Sequence, residues 1–67
     1  MRLQVGGVYQ SRDGLVYACV QECEAETVRF KEKGPGYKLL MLDGPAAGAV
    51  IVVPRGANVT VSVTRLD

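Results

Sequence analysis

At 67 residues, with 48% hydrophobic side chains and a net charge of +1 from eight Lys/Arg and seven Asp/Glu, the chain is the size of one folded domain and has no room for two. The near balance of charge excludes the broad basic field of a general nucleic-acid binder, and the hydrophobic content excludes an intrinsically disordered segment. No apolar run approaches the roughly 18 residues that a membrane-crossing helix takes.

The first strand is expected over residues 3–10, interrupted by Gly6 and Gly7, which suit a bulge or a sharp bend. Residues 1–7 lack the apolar stretch of a signal peptide, so cytoplasmic residence is expected. Ser11, Arg12, Asp13 and Gly14 form a turn signal, with Asp and Gly adjacent. Residues 15–21 are a second strand, apolar on both faces, so periodicity does not say whether Val16, Ala18 and Val20 or Leu15, Tyr17 and Cys19 point inward. Glu22, Glu24 and Glu26 then mark an acidic link.

Residues 28–42 read as a hairpin, with Lys33, Gly34, Pro35 and Gly36 as its loop. In that register Glu32 lies opposite Tyr37, Lys31 opposite Lys38, Phe30 opposite Leu39 and Val28 opposite Met41. Alternation along a strand puts Val28, Phe30, Leu39 and Met41 on a core face and Arg29, Lys31, Lys38 and Leu40 on the other. Two lysines directly across from each other are unfavourable, which suggests a neutralising neighbour or an anionic partner.

Asp43 to Gly48 is a longer turn. Residues 49–53 are uniformly apolar and rich in β-branched side chains, which predicts the most buried strand, and Pro54 ends it. Residues 55–58 turn again, and 59–64 alternate valines with Thr and Ser, the pattern of a last strand with one wet face. No window combines a helical apolar period with caps, so no helix is expected.

Five or six short antiparallel strands in one small domain predict a closed all-β barrel. Val53-Pro54-Arg55-Gly56-Ala57-Asn58-Val59 is similar to the proline-containing turn before the last strand of SH3 domains, and the order of loops resembles theirs. The resemblance implies an SH3-like barrel. The aromatics that line the peptide groove of signalling SH3 domains have no clear counterparts here, so polyproline recognition is not carried over.

Chemistry is sparse. The chain has no histidine, hence no usual base for a nucleophilic triad and no common zinc set. Cys19 and Cys23 on one strand would sit about 13 Å apart, beyond disulfide reach, and read as free thiols. No Gly-rich segment precedes a helix that could hold phosphate. The expectation is a non-catalytic protein without cofactor or metal.

Two binding readings remain. Arg29, Lys31, Lys33 and Lys38, with Tyr37 and Tyr17 nearby, form the mixture of cations and rings with which small barrels hold single-stranded nucleic acid. The preferred reading is protein association: an outer sheet face of Leu15, Tyr17, Cys19, Arg29, Lys31, Lys38, Leu40 and Leu42, studded with residue types enriched in interface cores. A dimer of identical chains is the first expectation, since small domains without staples commonly oligomerise. A host or pathway protein is the other partner, in keeping with the small accessory proteins of phages and mobile elements.

Overall fold

The structure, a computed structural model, describes residues 3–26 and 32–67. Five strands, β1 (Val8–Ser11), β2 (Val16–Glu26), β3 (Lys33–Met41), β4 (Val50–Pro54) and β5 (Val63–Arg65), form one antiparallel sheet in the order β4-β3-β2-β1-β5. A single helical turn, α1 (Asn58–Val61), links β4 to β5. The protein is therefore all-β, as its sequence predicts. The closed barrel expected from the sequence is not formed: β4 and β5 do not pair, and the sheet is open with these two strands as edges. Among the described residues no helix is long and apolar enough to cross a membrane.

The turn chemistry holds at three places. Gly6 N–H donates to the Cys19 carbonyl (2.8 Å) while Cys19 N–H donates to the Gly7 carbonyl (3.0 Å). Two glycines thus stand opposite one residue, the bulge that the sequence invites, and Gly6 takes a φ of 91° that a residue with a Cβ rarely adopts. The turn at Ser11 to Gly14 closes through Gly14 N–H to the Ser11 carbonyl (2.9 Å). The segment from Asp43 to Gly48 reverses the chain into β4, and the Asp43 carboxylate accepts the Val16 N–H at 3.0 Å.

The expected hairpin loop at Lys33 to Gly36 does not exist. Those residues are the first four of β3, paired along β2 from Glu26↔Lys33 to Cys23↔Gly36. Leu39 lies between Cys19 and Ile51, Lys38 between Gln21 and Val52, and Tyr37 between Glu22 and Val53. The acidic segment expected as a link is the second half of an eleven-residue β2, in which Glu26 stands opposite Lys33 in the register. Val28, Arg29, Phe30 and Lys31 lie outside the described residues.

Gly36 is there for proximity rather than for a turn. A Cβ on it would stand 2.4 Å from the Ala25 Cβ and 2.5 Å from the Val53 carbonyl oxygen. Pro35 is accommodated because β4 has ended at Pro54 when β3 reaches it. Arg55 N–H donates to the Pro35 carbonyl at 3.0 Å, and the return bond, from Pro35 to the Arg55 carbonyl, has no N–H to make it. The buried Thr60 hydroxyl donates to that carbonyl instead, with the Ala57 carbonyl 2.8 Å away as a second acceptor.

That bond also accounts for α1. The valines of residues 59–63 alternate as a strand would, yet Val59 and Val63, four residues apart, pack on the core while Val61 is exposed. Val61 ends α1 and Val63 opens β5, so the helical turn breaks the alternation between them, and the Thr60 hydroxyl fastens the turn to the end of β4.

The core consists of Leu3, Tyr9, Tyr17, Cys19, Tyr37, Leu39 and Met41, with Val53, Val59 and Val63 against it. Leu39 and Met41 are core as the alternation requires. Tyr9 and Tyr17 stack with centroids 6.4 Å apart, and each hydroxyl finds a backbone partner: Tyr9 accepts the Gln4 N–H, and Tyr17 donates to the Val59 carbonyl. The Arg65 guanidinium lies over the Tyr9 ring, 5.8 Å from its centre. The strand expected to be most buried is largely open: Val50, Ile51 and Val52 of β4 are 56%, 37% and 51% exposed.

Candidate binding face

Residues opposite one another across neighbouring strands share a face. Val8 pairs with Ala18, Ala18 with Leu40, and Leu40 with Val50. The sheet therefore carries a four-strand apolar row on the side away from the core. Beside it runs a second row of Gln21, Lys38 and Val52. On the other flank Leu42, exposed, donates its N–H to the Val16 carbonyl at 2.9 Å. Leu40 and Lys38 are half-buried, Val50 and Val52 largely open. Lys38 is the one cation in these rows, its stem flanked by Val52 while its charge can reach water.

The predicted site residues divide. Lys38 and Leu40 lie side by side on this face. Lys33 is exposed at the start of β3, opposite Glu26. Tyr17 and Tyr37 do not belong to any outer surface: they are 1% and 0% exposed, in the centre of the core. The physical reason is register. A bulge in β2 between Cys19 and Gln21 keeps Cys19 against Leu39 and turns Glu22, not Gln21, to share a face with Tyr37. Tyr17 and Cys19 pair with Met41 and Leu39 and point inward with them, so they are not part of the outer set, whereas Leu15, before β2, is exposed. Arg29 and Lys31 lie outside the described residues.

Sequence reasoning missed Val50 and Val52. Their signal in the sequence is ambiguous, because an apolar β-branched run is as compatible with an edge as with a centre.

Burial sets the state of the inner groups. The Tyr17 hydroxyl is pushed up to about 12, first by desolvation and then by the nearby Cys19 and Tyr9, so it remains a donor to Val59. The Cys19 thiol is raised, mainly by burial and next by Glu22, which keeps it from the thiolate form that nucleophilic or metal chemistry needs. Among the described residues no group of three or more His, Cys, Asp or Glu side chains could hold a metal ion.

Two shallow cavities lie elsewhere. One of about 330 Å³ is lined by Ser11, Arg12, Asp13, Val59 and Ser62, and one of about 410 Å³ by Leu3, Gln4, Val5 and Glu22. Neither brings a base to a hydroxyl at hydrogen-bond distance among the described contacts. No protein-family model, curated protein or solved structure matches the chain.

Proposed function

We propose that the protein is a non-catalytic module that acts by association, through the apolar outer face of β4, β3 and β2, with a second copy of the chain as its first partner and a host or pathway protein as the other. The observation that carries this reading is the row Val8, Ala18, Leu40 and Val50, flanked by Val52 and Leu42. A contiguous apolar face of this kind is seldom left wet on a monomer, and a domain this small gains stability from covering it. Strand order supports an SH3-like barrel as the finer architecture: β5 beside β1, then β2, β3 and β4, with a helical turn before the last strand. Nucleic-acid binding has less support, because Tyr17 and Tyr37, the rings offered for base stacking, are buried.

The test is light scattering coupled to size-exclusion chromatography, on the wild type and on Leu40→Asp. A carboxylate in the middle of the row should abolish association at micromolar concentration while far-ultraviolet circular dichroism stays unchanged. Association at micromolar concentration that survives Leu40→Asp would remove the face from consideration.

A further inference from the structure

A second surface, separate from that face, has a chemistry of its own. β4 is an edge strand, hydrogen-bonded to β3 on one side only. The bonds that frame it, Met41 N–H to the Ala49 carbonyl (2.9 Å) and Arg55 N–H to the Pro35 carbonyl (3.0 Å), belong to odd positions. Backbone groups alternate sides along a strand, so Ile51 and Val53 face β3, and the N–H and C=O of Val50 and Val52 point away from the sheet. Among the described residues nothing caps them. Edge strands are normally blunted by a charge, an inward lysine, a bulge or an early proline. Val50–Pro54 carries no charge, and its proline comes last.

We infer that β4 pairs antiparallel with β4 of a second copy, about a two-fold axis through Ile51, to make one continuous ten-stranded sheet. The edge is self-complementary in sequence as well as in backbone. Val50-Ile51-Val52 is a palindrome, so the axis sets Val50 opposite Val52 of the other copy and Ile51 opposite Ile51. Both backbone groups of Val50 and Val52 then find partners, four bonds in all by the antiparallel rule. Pro54 lies outside the bonded pairs, and no like charges meet. A register centred one residue later would put Pro54 opposite Val50 and leave the Val50 carbonyl without an N–H partner, whereas the Ile51 axis satisfies both groups of Val50 and Val52.

Area sets the strength. The open parts of Val50, Ile51 and Val52 amount to roughly 250 Å² per copy, so their pairing buries at most about 500 Å², below the roughly 1,200 Å² of a stable specific interface. The edge dimer is accordingly a weak one, populated at high concentration. It places the two apolar outer faces side by side on one sheet, doubling the width offered to a partner.

The experiment is amide hydrogen exchange by NMR across a concentration series, with light scattering on the same samples. Val50 and Val52 should exchange freely when dilute and slow by about tenfold or more as the dimer forms, whereas Ile51 and Val53 stay protected throughout. A mixed-labelled sample should give an intermolecular contact between the α-protons of the two Ile51 residues. Val52→Pro, which removes one outward N–H and keeps an apolar side chain, should lower the dimer population, and Leu40→Asp should leave it intact. Should that proline variant fail to fold, exchange and the intermolecular contact on the wild type decide. A dimer whose Val50 and Val52 amides stay unprotected, or which is lost in Leu40→Asp, overturns the edge pairing and leaves the face reading standing. A wild type that remains monomeric at millimolar concentration overturns edge pairing and self-association together.

Discussion

Two stretches of this chain read alike and end in opposite environments. Residues 15–21 and 49–53 are both short, apolar on both faces and rich in strand formers. In the structure the first supplies Tyr17 and Cys19 to the centre of the core, and the second is an edge with Val50 and Val52 in the open. The difference is a matter of neighbours. β2 has β1 on one side and β3 on the other, while β4 has β3 alone. Composition reports that a segment will be extended. Burial depends on how many strands flank it and on what packs against its inner face, and neither is a local property.

The contrast predicts unequal costs for similar truncations, and this is its largest expected consequence. Leu39→Ala empties a site that is fully buried at the centre of β3, which should cost about 2–5 kcal/mol. Val52→Ala, one strand away and half exposed, should cost about 1 kcal/mol or less. Urea denaturation of both variants checks this. Equal losses would mean that β4 is covered in solution to the same degree as the centre, and the comparison would collapse into the notion of a uniformly buried strand.

Much of the fold is legible in the sequence wherever one residue type has one use. Asp13 and Gly14 make a turn, Gly6 and Gly7 make a bulge, and Leu39 and Met41 alternate into the core. Legibility fails where a residue has two uses. Glycine and proline at 34–36 signal a loop by composition, but Gly36 serves the close approach of Ala25 and the Val53 carbonyl. Pro35 sits at a rung that β4 no longer supplies. The valines at 59, 61 and 63 satisfy a strand pattern, but a helical turn over Asn58–Val61 interrupts it before β5 begins at Val63. The candidate face is half legible for the same reason. Lys38 and Leu40 follow from alternation along β3. The inward position of Tyr17 is not legible, because a strand apolar on both sides carries no signal of which side is in, and the bulge after Cys19 that settles the register of its second half has no glycine to mark it.

Next in size is the junction that ends β4. Thr60→Val keeps the shape of the side chain and removes the donor to the Arg55 carbonyl, which should cost about 1–3 kcal/mol for a buried acceptor left alone. Pro35→Ala supplies the N–H that the rung lacks. On the wild-type background it should change little, since Thr60 already serves that carbonyl. Combined with Thr60→Val it should recover part of the loss, giving a coupling between positions 25 residues apart in sequence. Strictly additive effects in this double-mutant cycle would mean that Thr60 and Pro35 do not address the same acceptor.

The smallest effect tests the inner side of the comparison by pH. The Tyr17 hydroxyl has an ordinary value of 10.0 and is pushed up to about 12 by burial in the fold. A group whose folded value is raised gives its full stability below the unfolded value and loses it as pH climbs toward the folded one. Stability should therefore be level up to about pH 10 and fall between 10 and 12. Tyr17→Phe removes the hydrogen bond to the Val59 carbonyl, at a cost of about 1 kcal/mol near neutrality, and removes the titrating group with it. The variant should start less stable and then decline less steeply over that alkaline range, so that the two curves converge. An unchanged alkaline slope in Tyr17→Phe would show that other tyrosines or lysines drive the alkaline loss. It would also show that the Tyr17 hydroxyl meets water more freely than a side chain 1% exposed should.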